Sequence, residues 1–123
     1  MRKQRTIKWL IKSEEHDYPA AKSYLTLIYD SETAKKLVKK LRRAPRAEFK
    51  AKDIFRASNL SLLGISNARI ERDRRKIMED QSLSPILLVR DTSNGKVVIA
   101  DGYHRMCAVY SFDEDAVIPC KIV

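Results

Sequence analysis

The sequence predicts a small α/β domain, and three observations carry that prediction. Short β-type runs occur at Thr6–Ile11, Ile86–Arg90, Lys96–Ala100 and Ala116–Val123. Stretches with apolar residues at helical spacing lie between and after them, Glu32–Arg43 and Gly102–Phe112 being the clearest. With 123 residues, 44% hydrophobic and 33% charged, the chain suits one globular domain over residues 1–123 with a core of its own.

Thr6–Ile11 begins with alternation and ends in an apolar step, so it reads as a first strand, with Trp9 as a core residue. Pro19 suits a first helical turn and predicts a helix over Pro19–Tyr29 that buries Ala21, Tyr24, Leu25 and Ile28. Ser31 is the expected cap of a helix over Glu32–Arg43, with Ala34, Leu37, Val38 and Leu41 as its apolar stripe and Pro45 beyond its end. Phe49–Leu63 reads as a short helix and an irregular apolar piece, ended by Gly64; Ile54, Phe55, Leu60, Leu62 and Leu63 are available for packing. Ser66–Asp80 lacks glycine and proline and reads as a charged helix anchored by Ile70, Ile77 and Met78. Pro85 opens the strand Ile86–Arg90, and the turn Asp91-Thr92-Ser93-Asn94-Gly95 returns the chain as Lys96–Ala100 in a hairpin. The helix Gly102–Phe112 turns Met106, Val109 and Tyr110 inward, Asp113-Glu114-Asp115 form a turn, and Pro119 marks the last strand as an edge or an irregular one.

The formal charge is +9, distributed as +8 on residues 1–50, +2 on 51–80 and −1 on 81–123. The basic half suits nucleic acid, and solubility explains it equally well. No apolar run approaches the roughly 20 residues of a membrane span. The basic start Met1-Arg2-Lys3-Gln4-Arg5 is followed by no long apolar segment, so neither a membrane nor a secretory signal is expected. Cys107 and Cys120 read as buried thiols of a cytoplasmic protein.

The chemistry concentrates in Ala100-Asp101-Gly102-Tyr103-His104-Arg105, where a strand meets a helix start. Unpaired N–H groups and a partial positive charge at such a start attract anions. Arg105 adds a forked guanidinium, and His104 adds one donor when neutral and two when protonated. Tyr103 either stacks on a base or packs in the core. Asp101 either caps the helix, holds Mg²⁺ or accepts a hydroxyl proton. A second cluster, Glu14, Glu15, His16 and Asp17, follows the first strand: a carboxylate there would act as general base with His16 assisting, or the loop is only exposed and polar. Lys36, Lys39, Lys40 and Arg43, with Lys35 and Arg42, make the basic face of Glu32–Arg43, a phosphate-backbone contact surface or a solvated face. Arg69, Arg72, Arg74 and Arg75 are further cations within reach of an anion, with acids interleaved.

Three stretches follow one another in a telling order: Ser84-Pro85-Ile86-Leu87-Leu88-Val89, the Asp101-Gly102-Tyr103-His104-Arg105 turn, and Ile118-Pro119-Cys120-Lys121-Ile122. Over Leu83–Val123 this succession resembles the ParB/sulfiredoxin superfamily. The resemblance implies a mixed sheet with helices packed around it and a nucleoside triphosphate, ATP or CTP, held with Mg²⁺ at the turn. Gly102, His104 and Arg105 would hold the phosphates, with Asp101 and Tyr103 completing the site. Sulfiredoxins use Gly-Cys-His-Arg and its cysteine on sulfinic acids, ParB proteins hydrolyse CTP while clamping DNA, and free serine kinases carry Asp-Gly-His-His-Arg.

Tyr103 occupies the place of the sulfiredoxin cysteine, and a phenol cannot replace that thiolate, so reductase chemistry is not expected. No helix-turn-helix or dimerisation segment follows the motif, so a full partitioning clamp is not expected either. The leading expectation is an Mg²⁺-dependent NTP hydrolase or small-molecule kinase. The alternatives are a non-enzymatic DNA-binding or regulatory module and, less favoured, a nuclease, with a homodimer left open.

Overall fold

The apolar run Ile86–Val89 is buried along its whole length, as a strand covered on both faces must be, and the remaining elements are layered about it. A computed structural model describes residues 6–61 and 67–123. Its elements are α1 (Asp17–Leu25), α2 (Ser31–Arg43), β1 (Ala47–Lys50), α3 (Ala51–Ser58), α4 (Ala68–Met78), β2 (Ile86–Asp91), β3 (Lys96–Asp101), α5 (Tyr103–Phe112) and β4 (Val117–Ile122). Together they form the predicted α/β fold, a mixed sheet in the order β1-β4-β2-β3.

β2 and β3 form the expected antiparallel hairpin, with Val89 opposite Val98, through a 3₁₀ turn at Thr92–Asn94. β4 runs parallel to β2, pairing Ile86 with Cys120 and Leu88 with Ile122, and β1 runs antiparallel to β4. Side chains alternate between the faces. Leu87, Val89, Val98 and Ala100 pack against α1 and α2, while Ile86, Leu88, Ile99 and Ile118 pack with α3, α4 and α5. Neither cysteine forms a disulfide and both are buried, and burial pushes the Cys120 thiol up to about 11. Among the described residues no helix is long and apolar enough to cross a membrane.

Several expectations are corrected. Thr6–Ile11 is not a strand of the sheet: it makes a lone bridge, Trp9 to Leu83, held by Leu10 N–H to Leu83 O (2.8 Å) and Leu83 N–H to Lys8 O (2.9 Å). Trp9 packs at the edge of the core, whereas Ile11 is exposed. The first helix begins at Asp17 and ends at Leu25, because Thr26 to Tyr29 tighten into turns; its buried apolar side chains are Tyr18, Ala21 and Leu25, and Tyr24 and Ile28 face out. Asp30, not Ser31, caps α2, accepting Thr33 N–H at 2.8 Å. The short helix expected within Phe49–Leu63 is α3, Ala51–Ser58, but Phe49 and Lys50 before it belong to β1 through its pairing with β4. Leu60 and Met78 are largely exposed, and the expectations for Leu62, Leu63 and Gly64 lie outside the described residues. Pro119 is in an interior strand, not an edge one. The ladder to β2 begins only at Cys120, so on that side the proline forfeits no bond.

Candidate functional site

The end of β3 and the start of α5 are joined by Gly102, whose φ of 109° and ψ of 17° a side chain would strain. A Cβ there would also stand 2.8 Å from Ile86 Cγ1 and 2.9 Å from Arg105 Nη2. The glycine therefore lets the Arg105 guanidinium fold back against the turn. Asp101 does not cap α5: Gly102 holds the cap position without a side-chain bond. The first helical bond runs from Met106 N–H to Gly102 O, leaving the N–H groups of Tyr103, His104 and Arg105 without intrahelical acceptors.

Arg105 is drawn inward. Its Nη2 donates to Asp101 Oδ2 at 3.0 Å and to Pro85 O at 3.4 Å, and lies 3.7 Å from Asp17 Oδ2. These side chains are only 17%, 18% and 3% exposed for Arg105, Asp101 and Asp17 respectively. Ser84 Oγ donates to Asp17 Oδ2 and accepts Glu14 N–H at 3.0 Å, which ties the loop before α1 to the entry of β2. Two carboxylates thus neutralise the guanidinium expected to hold phosphate. Arg105 Nε is buried with no hydrogen-bond partner among the described residues.

Facing this turn is α4. Arg69, Arg72, Asp73 and Lys76, at i, i+3, i+4 and i+7, share one side of the helix and line a polar cavity of about 370 Å³. His16, Asp17 and Ala20 from the start of α1, and the whole Asp101–Arg105 run, complete its wall. Asn67 caps α4, accepting Arg69 N–H at 3.0 Å, and Ile70 and Ile77 anchor the helix in the core. The other two arginines point elsewhere: Arg74 lies 4.1 Å over the Phe112 ring, and Arg75 pairs with Glu71 at 3.3 Å. Sequence reasoning counted four interleaved arginines. The i, i+3, i+7 stripe of Arg69, Arg72 and Lys76 was the signal that separates the cavity residues from the rest.

Titration follows this packing. Burial raises Asp101 to about 6; Arg105 opposes the shift and the neighbouring Asp17 carboxylate adds to it. Burial, with repulsion from Arg69 and Arg72, lowers His104 against the pull of Asp73, which keeps the imidazole neutral near pH 7. Asp73 is raised, again by burial, against Arg105, Lys76, Arg72 and His104. Burial also raises the Tyr103 phenol, which donates to Ser61 O while its ring lies 5.5 Å from that of His104.

Because Asp101 is raised, the folded state holds more protons than the unfolded chain between the two pKa values. Its contribution to stability therefore falls as pH rises from 3.8 to about 6. We expect denaturant unfolding at stepped pH to show wild type losing stability relative to Asp101→Asn across that window. A constant difference between the two proteins would contradict the shift.

Of the remaining candidates, His16 alone lines the cavity. Glu15 pairs with Arg42, and Glu14 lies 3.4 Å from His16 Nε2 without lining the cavity. His16, at the rim, is 3.5 Å from Asp17 Oδ1 and largely exposed. Lys36, Lys39, Lys40 and Arg43 are exposed on α2, which contributes nothing to the cavity, while Arg42 lies 4.2 Å over the Tyr18 ring. Among the described residues no three His, Cys, Asp or Glu side chains converge as a metal site. Asp101 and Asp17 already direct Oδ2 at Arg105, so this donor set does not fit a metal held by the protein alone. No family model, curated protein or solved structure matches the chain.

Proposed function

We propose that the cavity between α1, α4 and α5 binds a nucleoside triphosphate, with its phosphates against Arg69, Arg72, Lys76 and His104. The observation that carries this reading is the convergence of three α4 cations on the uncapped start of α5. Guanidinium groups and free backbone N–H groups are the donors that phosphate oxygens take. The resemblance of Asp101-Gly102-Tyr103-His104-Arg105 to the nucleotide turn of the ParB/sulfiredoxin superfamily supports the same ligand class. Arg105 acts here by positioning, as the cation that keeps Asp17 and Asp101 together. Mg²⁺ enters with the phosphates as their counter-ion.

The acids opposite the cations support turnover by hydrolysis or by transfer to a small-molecule hydroxyl. Asp101 carboxylate, ionised above about pH 6, accepts the proton of the water or hydroxyl. That oxygen bonds to the terminal phosphorus as the bond to the bridging oxygen breaks, and a nucleoside diphosphate leaves. Asp101 and Asp17 fill this role better than Glu14 and Glu15 because they face the cavity.

Arg72→Ala tests the binding step. It removes a charge-assisted donor that has no structural partner role comparable to that of Arg105. We expect nucleotide affinity to fall about ten- to a hundredfold with the thermal midpoint unchanged. Unchanged affinity would remove α4 from the site.

A further inference from the structure

A second cavity, of about 480 Å³, shares no lining residue with the first. Leu88, Val97 and Ile122 form its floor on three adjacent strands, with Ile54 of α3 and Phe49 of β1 as walls. Leu88 and Ile54 are themselves buried, so this is a recess and not a flat face. Phe49 is 37% exposed, an aromatic surface left in water. At the hairpin end the recess is bordered by the exposed Arg90, which stands opposite Val97 and shares its face, while Lys96 reaches the rim beside Val97. The one acid of the lining, Asp53, lies 3.7 Å from Arg56, so its charge is partly answered from its own helix.

We propose that this recess binds a small apolar carboxylate. The alkyl or aromatic body lies on Leu88, Val97 and Ile122 and covers Phe49, and the carboxylate meets Arg90. Apolar lining with a few convergent charges, at a volume within the ~300–1,000 Å³ of small-molecule sites, is the general form of such a site. Burial of the body supplies the drive, and the Arg90 guanidinium supplies the preference for an anion. An ammonium of the same shape would meet like charge.

Octanoate, octan-1-ol and octylammonium, added to the full chain and followed by backbone amide shifts, test the proposal. Octanoate is expected to give saturable shifts grouped at Ala57, Gly95 and Val97, with octan-1-ol about tenfold weaker and octylammonium without effect. Ala57→Trp, at an exposed position of α3, fills the recess and abolishes the shifts. Arg90→Glu with Lys96→Glu, both at exposed sites that leave the core untouched, inverts the preference toward octylammonium. Three outcomes would overturn the proposal: equal binding of the three probes, shifts centred elsewhere or none below the concentrations at which octanoate aggregates, or a solution dimer that protects these same amides.

Discussion

Gly102→Ala lowers the thermal midpoint by roughly 10 °C and weakens nucleotide binding in the fraction that remains folded. Two costs combine in the stability term. The backbone at φ 109° disfavours any side chain, at about 1–3 kcal/mol. The new methyl also meets Ile86 Cγ1 at 2.8 Å, and Ile86, the first residue of β2, is fully buried in the core. Crowding of that kind costs about 1–3 kcal/mol more. At roughly 4 °C per kcal/mol for a domain of this length, a loss near the lower end of the summed range of roughly 2–6 kcal/mol gives the stated shift. The binding term has a separate origin: the same methyl lies 2.9 Å from Arg105 Nη2, so the guanidinium leaves the position between Asp17 and Asp101. Calorimetric melting followed by nucleotide titration separates the two. A melting point within about 2 °C of wild type would mean that the turn does not have this geometry.

Arg105→Ala destabilises the fold by about 3 kcal/mol, at the lower end of what loss of one partner from a buried ion pair costs. It leaves Asp17, only 3% exposed on its side chain, and Asp101 facing each other without a cation. Protonation relieves that repulsion, so the deficit is larger at pH 8 than at pH 5. Arg105→Lys restores a charge but not the fork, and recovers part of the loss. Chemical denaturation of the three proteins at the two pH values measures this. A deficit of the same size at both pH values would contradict the role assigned to Arg105. This variant therefore reports on a positioning residue, and Arg72→Ala remains the cleaner probe of phosphate contact.

The core of the fold is readable where local chemistry and burial agree. Proline before Ile86–Val89, Gly95 at the hairpin and Gly102 at the helix start each announce an element in the right place. β1 is not readable, because Ala47-Glu48-Phe49-Lys50 is short, mostly exposed and made a strand by its pairing with β4. Thr6–Ile11 shows the converse: β-type residues remain a lone bridge when no further partner is supplied. In the candidate site, the strand–glycine–helix junction at Asp101–Arg105 is legible from the sequence, but the direction in which Arg105 points is not. That direction depends on Asp17 and Ser84, which only the tertiary fold brings beside it. The same holds for α4. Its cavity face reads as one solvated stripe among several until α5 is seen to pack against it.

Arg69, Arg72, Lys76 and His104 are proposed to make a phosphate site on the start of α5. Calorimetric titration of the wild-type chain with ATP and CTP in the presence of Mg²⁺ tests it most directly, with inorganic triphosphate as the ligand that lacks a base. Saturable heat is expected with at least one nucleotide, together with competition by triphosphate and proton uptake near pH 7 as the bound phosphates raise the lowered His104. No heat with any of these ligands, from a protein that melts cooperatively, would contradict it.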